Sequence, residues 1–312
     1  MSQPIVSVII ASYNCAPYIA ETINSVLAQS MNDIEIIVID DGSTDATPQI
    51  VNAFGVPVRL LTQPNAGVCV ARNRGIREAR GKYICVMDHD DYWFPDKLTR
   101  QVEMLERHPD VGVVYSAFTL WHRDEQSHRF PDPVSLDQDI DPYEIDPEYT
   151  GWIYHQFLID CWMLTSSAMF RPEVFETCGV FDVALPYSED WDLWLRISRQ
   201  YPFIKLRRPT TLYRQHPQQG NRVAREIDYR TRLLKTAAKK WGLCSRDGRC
   251  VTRHAFNKQL ASYHASFALG HLRAGNRRLA LPALIKSWAT YPQNIKTLAY
   301  LAAASVGWKP GW

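Results

Sequence analysis

The sequence predicts an α/β protein built on a mostly parallel, doubly wound sheet flanked by helices and followed by a helical extension. Two observations carry this. Short β-branched or apolar runs at Val6–Ile10, Glu35–Ile39, Val58–Leu61 and Tyr83–Met87 alternate with helix-patterned segments. Alternation of that kind gives right-handed βαβ units with parallel strands. The first, second and fourth runs also open at their carboxyl ends into acids or small polar residues, where sheets of this class bind ligands. Composition agrees: 312 residues, 46% apolar and 22% charged, give a globular chain with room for one large domain or two small ones.

Each element has its own signal. After the first strand come Ser12, Tyr13 and Asn14, and Pro17 suits a first helical position. Ile19, Ile23, Val26 and Leu27 then fall on one helical face. The second strand ends in Asp40, Asp41, Gly42 and Ser43, and Asn65, Ala66 and Gly67 open a helix reaching Ala79. The fourth strand delivers Asp88, Asp90 and Asp91 into one loop. Alternating carboxylates leaving a strand can share one hard divalent cation; a solvated acidic turn is the competing reading. A helix is expected over Lys97–Arg107 and a strand over Val111–Phe118. Asp124–Thr150, with Pro131, Pro133, Pro142 and Pro147, reads as a long loop or lid.

Further on, a strand is expected over Cys161–Phe170, and a helix begins at Arg171 and Pro172. Ser188 is a candidate N-cap for a helix with Glu189, Asp190 and Asp192 in its first turn, where acids suit the helix dipole. Strands at Phe203–Leu206 and Thr211–Arg214 lead to His216. Beyond Asn221, Arg222, Arg225, Arg230, Arg232, Lys235, Lys239 and Lys240 make a basic helix, either a solvated face or a contact for an anionic membrane. Two more helices are expected at Tyr263–Leu272 and Leu279–Trp288, in a hairpin. The expected division is 1–220 and 221–312.

A net charge of +2 gives no reason to invoke nucleic acid. The start has no basic region before an apolar core, and no run approaches the roughly 20 apolar residues of a membrane span. A cytoplasmic chain without an anchor is therefore expected, touching the inner membrane face peripherally at most. The seven cysteines show no C-x-x-C pair and read as reduced thiols.

VSVIIASYN (Val6–Asn14), EIIVIDDGSTD (Glu35–Asp45), NAGVCVARNRGI (Asn65–Ile76), GKYICVMDHDDYWFPDKL (Gly81–Leu98) and EDWDLWLR (Glu189–Arg196) together resemble the family 2 glycosyltransferases of the GT-A fold. The resemblance spans roughly the first 220 residues and leaves the C-terminal helices unexplained. It implies an inverting, metal-dependent hexosyltransferase that uses a nucleotide-sugar, with a lean to UDP, and Mn2+ or Mg2+. The acceptor would be a glycan or lipid-linked hydroxyl in cell-surface polysaccharide assembly. Tyr13 would stack on the base, Asp41 would accept from a uracil nitrogen with the Ala11 backbone nearby, and Arg72 would face the nucleotide or its phosphates. Asp88 and Asp90 match the Asp-x-Asp signature, Asp90 as direct metal ligand and Asp88 at ribose or metal. His89 between them would point away, and Asp91 could cap the next helix.

Asp190 matches the general base, kept ionised by helix-start amides, and His216 would approach the diphosphate or metal. A sugar nucleotidyltransferase would instead want a Gly-rich, basic phosphate loop after the first strand, which SYNCAPY lacks. A non-catalytic nucleotide-sugar-binding protein would not need both Asp90 and Asp190.

Overall fold

The computed structural model describes residues 3–219 and 225–305. The chain divides into two compact units, one of Met1–Ile153 and Cys161–His216, the other of Tyr154–Asp160 and Pro217–Trp312. The sequence-derived border at 220/221, Asn221 and Arg222 lie outside the described residues.

The first unit begins β1 (Val6–Ser12), α1 (Ile19–Leu27), β2 (Ile34–Asp40), α2 (Thr47–Asn52), β3 (Val58–Thr62), α3 (Val68–Glu78) and β4 (Tyr83–Asp88). All seven residues of β1 are buried, which explains why this strand reads as a continuous apolar run rather than an alternation. β1 pairs in parallel with β2 on one side and β4 on the other, and Ser12 lies opposite Asp40 while Ala11 lies opposite Asp88. The strand-end residues singled out in the sequence therefore emerge side by side, where the strand order reverses.

The sheet continues through β5 (Tyr92–Trp93), β6 (Val113–Trp121), β7 (Ala168–Phe170) and β8 (Phe203–Arg214) to eight strands in the order β3-β2-β1-β4-β7-β6-β8-β5. β7 runs antiparallel to β4 and β6, β5 runs antiparallel to β8, and β6 and β8 are parallel. On one face Val8, Ile10, Cys85 and Met87 pack with Ile19, Ile23 and Val26 of α1 and with Leu98 and Leu105 of α4 (Lys97–Arg107). On the other, Ile37 and Ile39 meet Ala71 of α3. A Cβ at Gly75 would lie 2.2 Å from Ile9 Cγ2, so the glycine sets how closely α3 approaches β1. Two further helices, α6 (Pro172–Cys178) and α7 (Glu189–Ile197), complete this unit, while α5 (Tyr154–Phe157) belongs to the second.

Three expectations change here. Of Cys161–Phe170 only Ala168–Phe170 is strand, because Thr165–Ser167 forms a 3-10 turn whose Ser166 bonds to the loop after β4. The two strands expected across 203–214 are one, carried past Pro209 by a register irregularity between Ser116 and Phe118 of β6. Ser188 precedes α7 in a left-handed conformation, φ 62°, and its side chain makes no capping bond. The long loop is tied to β8: Asp146 N donates to Lys205 O at 2.8 Å, Gly151 bridges Phe203, and Arg208 Nη2 meets both Asp137 oxygens at 3.0 and 2.8 Å.

The second unit holds α5, α8 (Tyr229–Trp241), α9 (Arg253–Arg273), α10 (Arg277–Thr290) and α11 (Ile295–Ser305). Ala268 and Leu272 of α9, Ala280, Ala283 and Leu284 of α10 and Ala304 of α11 form its apolar centre. Side chains of Asp228, Thr252 and Asn276 cap α8, α9 and α10. Among the described residues no helix is long and apolar enough to cross a membrane. The expectation of reduced cysteines fails at one place: Cys244 and Cys250 form a disulfide, brought to a Cα separation of 4.0 Å by a short antiparallel bridge. Their spacing matches no motif that would reveal it. The other five cysteines form no disulfide, and Cys15, Cys69 and Cys85 are buried.

Candidate active site

At the carboxyl ends of β1 and β2 the two loops are stitched together. Asn14, at φ 45°, accepts from Thr44 N at 2.8 Å, and Asn14 N donates to Ser43 Oγ at 2.9 Å. Tyr13 is left 45% exposed at the rim, available for a planar ligand to stack on. Asp41 is buried. Its Oδ1 accepts from Gln63 Nε2 at 2.7 Å and Ala66 N at 3.0 Å, and its Oδ2 from Gly67 N at 2.8 Å. This carboxylate anchors the start of α3, a role the sequence did not suggest.

Arg72, on α3, is buried and forks between two carboxylates: Nη2 donates to Asp88 Oδ1 at 2.6 Å and Nη1 to Glu189 Oε1 at 2.8 Å. Burial disfavours its charge, but Asp88 and then Glu189 more than compensate, and its pKa is raised. One guanidinium thus joins the end of β4 to the start of α7, which are a hundred residues apart in sequence. Glu189, read from sequence only as a helix-start acid, is part of the bridge.

The loop after β4 is fixed from several sides. His89 Nδ1 lies 3.1 Å from Ala11 O, so its ring turns back to β1. Asp90, 8% exposed, has Oδ2 at 2.8 Å from His216 Nε2. Burial opposes its ionisation, yet the hydrogen bond from His216 and the nearby imidazoles hold its pKa below the ordinary value. The His216 ring packs on Tyr18 with centroids 4.5 Å apart. Asp91 does not cap α4. It is fully buried, accepting from Ser166 Oγ at 2.6 Å and Arg214 N at 3.2 Å. Burial, then Asp90 and Asp88, push its pKa well up.

Arg214 is a site residue that sequence reading missed. Its Nε donates to Asp90 O at 2.6 Å, its Nη2 to Glu21 Oε2 at 2.5 Å, and its guanidinium lies 4.0 Å from the Trp121 ring centroid. It also borders a cavity of about 450 Å3 whose lining includes Tyr18, Trp121, Phe130 and Asp132. The Tyr-Arg-Gln-His run is its only local signal.

Asp190 is half-buried in the first turn of α7, with Trp191 N donating to its Oδ1 at 2.7 Å. Helix-start amides do not keep it at an ordinary carboxylate pKa. Burial, followed by the charge of Glu189, raises it to about 7, and Arg72 only partly offsets this. Tyr213 lies within the field of Asp88, Asp91, Asp90 and Asp190, and its pKa is raised by burial and then by those four charges. Together with the Arg72 fork between Asp88 and Glu189, this puts the acids of the two segments near one another.

No group of three or more His, Cys, Asp and Glu arranged to hold a metal ion occurs among the described residues. Asp88 and Asp90 still suit Mg2+ or Mn2+ chemically. Such ions are commonly bound through one or two carboxylates, with substrate phosphates and water completing the shell.

Residues 7–171, more than half of the chain, match the model of Glycosyl transferase family 2. The chain belongs to that family. It is 36% identical over 199 residues to an uncharacterised glycosyltransferase of Rickettsia prowazekii, covering 63% of this chain and 59% of that one. It is 32% identical over 197 residues to the Escherichia coli UDP-Glc:alpha-D-GlcNAc-diphosphoundecaprenol beta-1,3-glucosyltransferase WfaP, covering 62% and 70%. The chain thus spans less than two thirds of the length of the first curated relatives it matches.

In fold it is similar to S. aureus TarS in complex with UDP-GlcNAc, with a TM-score of 0.64 at 20% identity over 97% of this chain and 87% of that one. It is also similar to the Pyrobaculum calidifontis mannosyltransferase PcManGT in complex with GDP-Man and Mn2+, with a TM-score of 0.55 at 23% identity over 98% and 80%. The first unit is therefore a GT-A fold, and the expected mixed α/β class with C-terminal helices holds.

Proposed function

We propose that this family 2 glycosyltransferase moves a hexose from a UDP-sugar to a hydroxyl of a glycan or lipid-linked acceptor, with inversion, in cell-surface polysaccharide assembly at the cytoplasmic side of a membrane. The observation that carries the reading is the Arg72 fork between Asp88 and Glu189. It sets the Asp-x-Asp loop and the helix bearing Asp190 against one another, as a donor site and a base must be set. UDP-linked chemistry is named for WfaP and TarS, and a diphosphoundecaprenol acceptor for WfaP.

In this reading Tyr13 stacks on uracil, and Asp41 accepts from the ring with the Ala11 backbone alongside. Since Gln63, Ala66 and Gly67 already hold the Asp41 carboxylate, it would be fixed in place before the nucleotide arrives. Asp90 holds the cation, Asp88 contacts it or the ribose, and His216 steadies Asp90 on the diphosphate side. A bound Mn2+ or Mg2+ supplies Lewis-acid stabilisation of the charge growing on the departing diphosphate. Asp190 takes the acceptor proton as the acceptor oxygen bonds to the anomeric carbon and the electron pair of the breaking bond leaves with the diphosphate. A base with a pKa of about 7 is matched to that transfer near neutrality.

Asp190→Asn is the test. Transfer is expected to fall roughly 10²- to 10⁴-fold while UDP affinity by calorimetry stays within about twofold of wild type. Near-normal turnover would remove Asp190 as the base. A lipid-linked acceptor also implies contact between the basic C-terminal helices and an anionic membrane surface.

A further inference from the structure

Charge is unevenly divided along the chain. Beyond Asp247 the sequence carries nine Lys or Arg and no Asp or Glu, although the whole has 35 basic and 33 acidic residues. The part before that point is therefore net acidic and the last 65 residues strongly basic. Asymmetry of this kind points to an anionic surface as partner.

The same region has apolar side chains that its own packing does not use. In α11, Ile295, Leu298, Ala299 and Ala302 follow the i, i+3, i+4, i+7 spacing of a helical stripe and are all exposed, Ile295 to 75% and Leu298 to 44%. In α10, Ile285 is 55% and Trp288 40% exposed. Lys286 and Lys296, next in sequence to Ile285 and Ile295, are exposed as well. The inward sides are already filled, since Ala283, Leu284 and Ala304 lie in the core of this unit. α8 differs: Arg232, Lys235, Lys239 and Lys240 are exposed, but no large apolar side chain of that helix is. A basic helix without an apolar face is held at a membrane by charge alone.

We infer that the exposed face of α10 and α11 is an interfacial membrane contact: Ile285, Trp288, Ile295 and Leu298 enter the headgroup region of an anionic bilayer while Lys286 and Lys296 meet lipid phosphates. Apolar area leaving water and cations approaching a negative surface act together, and each cation adds about a fivefold factor. A second copy of this chain is the poorer occupant, because a two-fold pairing of this face would set an acid-free, basic surface against itself. The inference deepens the lipid-linked acceptor reading, but it rests on the C-terminal unit, so binding and transfer can fail separately.

The test uses the full chain and vesicles of phosphatidylcholine, with and without phosphatidylglycerol, in co-sedimentation at low and high salt. Wild type is expected to sediment with the anionic vesicles and to be partly released by salt. The Ile285→Ser/Trp288→Ser/Ile295→Ser/Leu298→Ser variant is expected to lose at least about tenfold in partitioning, with melting temperature and UDP affinity unchanged. Lys286→Glu/Lys296→Glu should lose at least about 25-fold. Three results would overturn the inference. They are sedimentation of the serine variant like wild type, loss of binding only on Lys239→Glu/Lys240→Glu in α8, and a wild-type dimer that the serine variant dissolves without any vesicle binding.

Discussion

Arg72 is the residue on which the site depends. With its guanidinium removed, Asp88 and Glu189 would be left as uncompensated, partly buried neighbours. Arg72→Ala is therefore expected to cost about 1.5–3 kcal/mol in urea unfolding, and wild-type stability would show that the fork holds nothing together. Arg72→Lys should recover little, because a single ammonium cannot reproduce a planar fork with partners at 2.6 and 2.8 Å. A second expectation concerns pH. As the proposed base, Asp190 would act only when ionised, and burial and Glu189 raise its pKa to about 7. The rate should therefore fall about tenfold per pH unit below that point and level off above it. Glu189→Gln removes the second of those causes, so the acidic limb should move to lower pH; a limb that stays in place would mean another group controls it.

At the scale of elements, the approach of α3 to β1 is set by one missing side chain. Gly75→Ala drives a methyl to 2.2 Å from Ile9 Cγ2. The overpacking, about 1–3 kcal/mol, should outweigh the roughly 1 kcal/mol that alanine gains in helix propensity, lowering the urea midpoint. An unchanged or raised midpoint would show that the interface has slack. β1, β2 and β4 were legible in the sequence because largely buried strands read as apolar runs, and the acids after β2 and β4 stood out against them. β7 was legible only as the end of a longer run: the strand expected over Cys161–Phe170 shrinks to Ala168–Phe170, because the 3-10 turn before it is held by bonds of Ser166 to Asp91 and Asp88 that leave no trace in the sequence. Glu189 looked like an ordinary helix-start acid, Arg214 like a strand-end cation, and Cys244 and Cys250 like scattered thiols. Each role depends on a partner distant in sequence or on a local turn without a signature. The ionisation of Asp190 was misjudged because dipole and amides are visible in sequence whereas desolvation is not.

For the whole molecule, the pattern is a cluster of acids at the strand ends of one unit and a helical unit whose chain beyond Asp247 is basic and free of acids. In the proposed reading Asp88 and Asp90 serve the cation and Asp190, its pKa raised to about 7, serves the acceptor, so donor binding and proton removal should respond to different perturbations. Asp90→Ala is expected to weaken UDP binding only when Mn2+ is present, whereas Asp190→Asn should spare it. The measurement that bears most directly on the proposed chemistry is UDP release from a panel of UDP-sugars by wild type, Asp90→Ala and Asp190→Asn, with Mn2+ and with chelator. Wild type should release UDP from at least one UDP-sugar in a Mn2+-dependent manner, with both variants reduced by at least about 10²-fold. Release that is equal with chelator, or that survives in Asp190→Asn, would contradict a metal-assisted transfer with Asp190 as the base.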